Sequence, residues 1–195
     1  GNIYGSSNLV WACVIGLILI YLTLGYWLGG KAADRNPDFR TFYRILMWAS
    51  LTVGLVPIVS RPLLRITANA FDQLQMPLLA GAFITILCLF VIPVTLIGMV
   101  SPFALKLALV DKNSAGKISG RLSAISTVGS FIGTFLPVLI LIPLIGTYRT
   151  FLFFSSLLML VATVGFILYA GFKAWLRFLW MPLVLVVLWL AGVSG

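Results

Sequence analysis

The sequence predicts an all-α integral membrane protein of about six transmembrane helices, and three observations carry that prediction. Hydrophobic residues fill 62% of the 195 positions and charged residues only 9%, with a mean hydropathy of +1.15, a composition that cannot cover a water-facing surface. The apolar residues fall into runs close to the ~20 residues a helix needs to cross the hydrocarbon core. The 13 Lys and Arg residues gather at the ends of those runs, as membrane orientation requires.

The runs cover residues 9–29, 43–60, 77–100, 122–146, 151–171 and 176–193. The first closes on Gly25, Gly29 and Gly30 ahead of the charged stretch that opens with Lys31, and the second is bracketed by Arg44 and Arg61. The third ends before Lys106, the fourth follows the basic, glycine-bearing stretch Gly116–Arg121, and a tight Gly146-x-x-Arg149 turn separates it from the fifth. The sixth, after Lys173, is short. Lipid offers no partner to backbone N–H and C=O groups, so each run is read as a helix, the β-branched residues near 183–187 included. Pro57, Pro93, Pro137, Pro143 and Pro182 are expected to bend these helices rather than end them.

Counting Lys and Arg alternately on the two sides gives orientation. Lys31, Arg35, Arg40, Arg44, Lys106, Lys112, Lys117, Arg121, Lys173 and Arg177 fall on one side, and only Arg61, Arg65 and Arg149 on the other. The first side is therefore expected to be cytoplasmic, in a bacterial inner (plasma) membrane, with both ends of the given chain outside. The external connection 61–76 has amphipathic spacing, with Leu63, Leu64, Ile66, Ala70, Phe71 and Leu74 on one arc, which suits lying along the membrane interface or docking on another subunit.

Much chemistry is excluded at this stage. The chain has no Glu and no His, and Asp34, Asp38, Asp72 and Asp111 all sit in polar connections. Histidine-ligated pigments, an intramembrane carboxylate relay and hydrolytic acid–base pairs thus lack their residues. No catalytic, cofactor-binding or metal-ligating set is found, and Cys13 and Cys88 fall inside apolar runs where they read as buried, inert thiols. The net charge of +9 is explained by membrane anchoring, so the expected partner is the lipid bilayer and not nucleic acid.

The stretch Gly25–Arg40, GYWLGGKAADRNPDFR, resembles the loop signature of the major facilitator superfamily. Gly30, Ala33, Asp34 and Arg35 match that signature, whereas Ala32, Pro37 and Asp38 depart from it. In that family the loop joins the second and third helices, and its Asp engages the end of a neighbouring helix and a nearby Arg as a latch. The segment 116–160 keeps the family's order of a basic Gly-rich loop, a Gly-rich fifth helix, a tight turn and a sixth helix. Gly25 and Gly29, like Gly129 and Gly133, are assigned to helix packing, the latter pair as a small-xxx-small contact with Ser126 and Ser130 beside it.

More narrowly, the stretches 4–35, 98–109 (GMVSPFALKLAL) and 120–150 are together similar to the membrane half of the fused facilitator/spermidine-synthase family, a match over most of residues 4–155. The resemblance implies a partial facilitator-like bundle, from which a helix preceding residue 9 and a soluble synthase-like domain are missing. The chain carries neither a Gly-x-Gly-x-x-Gly turn nor alternating strands and helices, so aminopropyl transfer by these residues is not expected. The apolar runs hold no carboxylate that would replace the hydration of a polyamine, so proton-coupled polyamine uptake is not expected either. Three readings remain: a non-catalytic facilitator-like module acting as anchor or scaffold, an accessory structural subunit of a larger membrane complex, and half of a small-solute transporter. Hydroxyls such as Ser50, Thr85, Thr95, Thr127, Ser130, Ser155 and Thr163 would serve a solute, or satisfy local backbone and neighbouring helices.

Overall fold

The computed structural model describes residues 3–74, 78–109 and 115–193, and among them only helices and short connections occur. Helices α1 (Ile3–Arg35), α2 (Phe39–Leu74) and α3 (Leu78–Ala108) correspond to the first three apolar runs. They are followed by α4 (Ala115–Leu136), a π-helical turn (Pro137–Leu141), α5 (Ile142–Ala170), the short α6 (Phe172–Trp175) with a 3-10 turn (Leu176–Phe178), and α7 (Trp180–Val193). The protein is membrane-embedded. Four continuous helical stretches are long and apolar enough to cross a bilayer: Ala12–Arg35, Phe39–Ser60, Ile84–Ala108 and Ala115–Ala170. A fifth is formed by Phe172–Phe178 and Trp180–Gly192, bent by 49° at their junction.

The six expected spans map onto these stretches with two differences. Runs 122–146 and 151–171 are not separated by a loop, because the π-helical turn carries the helix through Pro137. The resulting 56-residue stretch would measure about 84 Å if straight, far beyond the ~30 Å of a hydrocarbon core. Gly146 divides it, with φ 78° and ψ 165°, a conformation open to glycine and strained for other residues. Helix α2 differs too: it continues past the apolar run to Leu74, so the start of the amphipathic connection is helical in direct line with the span. Residues 75–77 of that connection, and Asp111 and Lys112 in the next one, lie outside the described residues.

Pairings across the bundle set the helix directions. Gly25 lies against Gly98 and Asp34 against Lys106, so α1 and α3 run parallel. Ser50 meets Ser155, and Arg40 donates from Nε to the Tyr169 carbonyl at 3.2 Å, so α2 and α5 are antiparallel. Tyr148 donates to the Leu188 carbonyl and lies against Gly192, while Phe166 meets Phe178 just ahead of α7, which sets α7 antiparallel to α5. The result is a row in the order α1, α3, α2, α5, α7, in which sequence neighbours α1 and α2 do not pack on each other.

The core lies between α2, α5 and α7, where Leu46, Met47, Leu51, Met159, Ala162, Phe166, Met181 and Leu185 form one cluster. In lipid the transfer of apolar groups drives little, so this cluster is held by close packing. Two glycines mark the closest approaches: a Cβ at Gly54 would stand 2.5 Å from Leu185 Cδ2, and one at Gly165 would enter the Tyr43 ring. Stacking of Phe39 on Tyr169, with ring centroids 4.3 Å apart, closes one end.

Helix α4 stands apart. None of its residues is buried, and it touches the rest of the bundle chiefly at the end of α3. The expectation that Gly129 and Gly133 mark a tight interface is not met within this chain, since a Cβ at either position would meet nothing within 4 Å. The glycines give α4 a surface suited to close approach, but the row forms on α3 and α2 and supplies no helix to that surface.

Candidate functional site

The residues of the facilitator-like loop lie at the shared end of α1 and α3, and the seam leading to them is built on glycine. Gly25 and Gly29 are one helical turn apart and present bare backbone to α3. A Cβ on Gly25 would stand 2.8 Å from the Gly98 Cα, and one on Gly29 would stand 2.5 Å from the Met99 carbonyl oxygen. Gly98 answers from the other side, where an added Cβ would lie 3.0 Å from the Leu22 carbonyl. Only glycine permits backbones this close, and the many short contacts that follow favour association in lipid. Farther along, Tyr21 donates to the Leu87 carbonyl at 2.9 Å, tying the same two helices together.

Beyond Gly29 the seam ends in charge. Lys106 Nζ on α3 lies 2.6 Å from Asp34 Oδ1 on α1, in a pair that is 49% and 69% exposed. The resemblance implies that Asp34 engages a neighbouring helix end and a nearby Arg; the partner in this structure is Lys106. Arg35 is exposed and makes no ion pair among the described residues, and Gly30 has open space where its Cβ would be. Ala33, at 1% exposure, packs the base of the clamp.

Two residues missed by motif reading complete the turn. Asp38, a departure from the family signature, caps α2: its Oδ1 accepts from the Arg40 N–H at 3.2 Å, and its carbonyl accepts from Thr41 and Phe42. A carboxylate at that place also complements the helix dipole. Lys106 itself was visible only as a basic residue at a helix end; no local signal names its partner. Lys31 lies over the Trp27 ring at 5.0 Å, on the exposed face of α1.

The structure thus brings Gly25, Gly29 and Asp34 together with Gly98 and Lys106, leaves open space at the Cβ position of Gly30 and no ion pair at Arg35 among the described residues, and holds Gly129 and Gly133 on a separate helix. The seam is a mechanical clamp: glycine contacts set the helix separation, and the ion pair fixes the ends. Cys13 and Cys88 are both free, but Cys13 is only half-buried and Cys88 is exposed, against the expected burial, since the row of helices leaves most of α1 and α3 uncovered; no group of three or more His, Cys, Asp or Glu residues gathers among the described residues.

Fold and seam define an all-α, membrane-embedded helical bundle in which α1 and α3 pack closely along glycines. Comparison with protein-family models, with curated proteins and with solved structures gives no match.

Proposed function

We propose that this chain is the non-catalytic, facilitator-like membrane module of a spermidine-synthase-related protein and serves it as anchor or scaffold. The observation that supports this reading is the Asp34–Lys106 clamp, which closes the α1–α3 seam at the loop where the resemblance places a latch. A scaffold needs helix pairs that keep their separation, and backbone-close glycine packing capped by an ion pair supplies that. Chemistry would reside in a separate soluble domain, because the chain's own carboxylates are few and lie at helix ends and connections. The excess of Lys and Arg at one end supports placing the Asp34–Lys106 end in the cytoplasm of a bacterial inner membrane.

A second reading, an accessory subunit of a larger membrane complex, is favoured by α4, which has no buried residue in this chain and so offers its small-residue surface to other subunits. Intact-mass measurement of the natural polypeptide purified from membranes separates the two. A much longer chain ending in a soluble synthase-like domain supports the first reading. Recovery at this length, in fixed stoichiometry with other membrane proteins, replaces it with the second. Orientation is tested by Asn36→Cys and Asn69→Cys in a background lacking Cys13 and Cys88: an impermeant thiol reagent applied to sealed cells should reach position 69 and not position 36.

A further inference from the structure

Between α4 and the α1–α3 pair runs a cleft of two joined cavities, about 410 and 490 Å³ in volume, which share Tyr26, Ser101, Leu122 and Ser126 as walls. Its lining changes along its length. Toward the Asp34 end it carries Ser119, Ser123 and Thr127, and farther in it carries Ser130 among aliphatic side chains. No charged side chain lines either cavity.

Several hydroxyls of the bundle are satisfied in one of two ways, and Thr127 of this cleft is among them. Thr23, Thr52, Thr127, Thr134 and Thr150 each donate to the carbonyl four residues back, the usual way a hydroxyl is satisfied inside a membrane helix. Ser50 and Ser155 satisfy each other across helices. Tyr26, Ser101, Ser119 and Ser126 do neither: among the described residues their hydroxyls have no hydrogen-bond partner, and all four face the same space. Ser101 and Ser119 lie just outside the apolar runs and Tyr26 and Ser126 within about a turn of their ends, where a medium that itself forms hydrogen bonds would satisfy all four. Lipid tails cannot do so. An ion entering the cleft would lose hydration and find no countercharge, which disfavours cations and anions alike.

We propose that the cleft between α4 and the α1–α3 pair is a binding site for a small, uncharged solute with several hydroxyl groups, of the polyol class. Its volume lies within the range of small-molecule sites, and its mix of aliphatic walls with a few convergent hydroxyls is the composition such sites have. This assignment does not depend on the scaffold reading, since a synthase-related module and a complex subunit would both retain the cleft.

The test uses the full chain in lipid nanodiscs, with Cys13 and Cys88 replaced by Ala and one new thiol introduced, Ser126→Cys in the cleft or Val128→Cys on the 60% exposed face of α4. A water-soluble maleimide should modify position 126 at least about tenfold faster than position 128, because hydrocarbon excludes the reagent from the lipid face. Glycerol, meso-erythritol and sorbitol are then added in turn, and at least one should slow modification of position 126 saturably, while spermidine and glutamate at equal concentration and ionic strength should not. Tyr26→Phe, which keeps the ring, should weaken that protection about threefold to tenfold with thermal stability unchanged. Equally slow modification at 126 and 128 would mean that lipid or protein fills the cleft and would overturn the proposal. Protection by no polyol, or equal protection by spermidine or glutamate, would overturn the ligand class.

Discussion

Ser50 on α2 and Ser155 on α5 exchange hydrogen bonds: each hydroxyl donates to the other residue's backbone carbonyl at 2.7 Å, and both side chains are fully buried. The pair sits at a close approach of the two helices, beside Gly54, whose absent Cβ would stand 2.7 Å from Ser155 Oγ. Each bond therefore depends on the helix separation that the other helps to fix. Ser50→Ala and Ser155→Ala should each lower unfolding stability in detergent by about 0.5–1.5 kcal/mol. The double substitution should cost measurably less than the sum, because the first loss already relaxes the contact. Strict additivity in thermal or denaturant unfolding would show the two bonds to be independent.

A sharper contrast comes from two glycine pairs with the same spacing. Gly25→Val drives a branched side chain into the Gly98 backbone, and Gly133→Leu on α4 meets open space. The first should destabilise the chain by several kcal/mol through overpacking and separation of α1 from α3, while the second should leave its melting temperature within about 2 °C of the parent in detergent. A large effect of Gly133→Leu on the isolated chain would place another helix against α4.

This contrast shows how far the sequence could be read. Each apolar run became helix because lipid leaves the backbone no other choice, so composition and run length carried the class. Gly25/Gly29 and Gly129/Gly133 look alike locally, yet only the first pair meets a neighbour, because the row places α3 against α1 and nothing against the two glycines of α4. That order is a tertiary fact. Lys106 is 72 positions from Asp34, and Ser155 is 105 from Ser50, so neither partnership leaves a periodic trace. The loop motif pointed to Asp34, and its partner depended on α1 and α3 running side by side and parallel.

Breaking the clamp should have a small thermodynamic effect and a specific electrostatic signature. The Asp34–Lys106 pair is well exposed, so Asp34→Asn or Lys106→Gln should each cost less than about 1 kcal/mol, and added salt should shrink the loss. Asp34→Lys places two cations together and should be worse than neutralisation, and the exchange Asp34→Lys with Lys106→Asp should recover most of the difference. Spin labels or fluorophores at the ends of α1 and α3 would report any widening of the seam. If the exchanged double variant is no better than Asp34→Lys alone, the ion pair does not fix these helix ends.

Gly146 offers a test in which contacts play no part. A Cβ at this position would meet nothing within 4 Å, so by packing alone Gly146→Ala would be harmless. Its backbone, however, sits at φ 78° and ψ 165°, where a side chain is strained whatever the space around it. The Thr150 hydroxyl donates to the Gly146 carbonyl at 2.8 Å and helps to start the helix that follows the break. Alanine would either bear the strain or straighten the chain, and a straight Ala115–Ala170 helix would be too long to keep both ends at bilayer surfaces. Gly146→Ala should therefore cost about 1–3 kcal/mol, while Gly129→Ala, helical and equally open, should be neutral or slightly stabilising. The two variants are compared by thermal unfolding in one detergent; equal stability would mean that position 146 takes an ordinary helical conformation and that the α4–α5 reversal is made elsewhere.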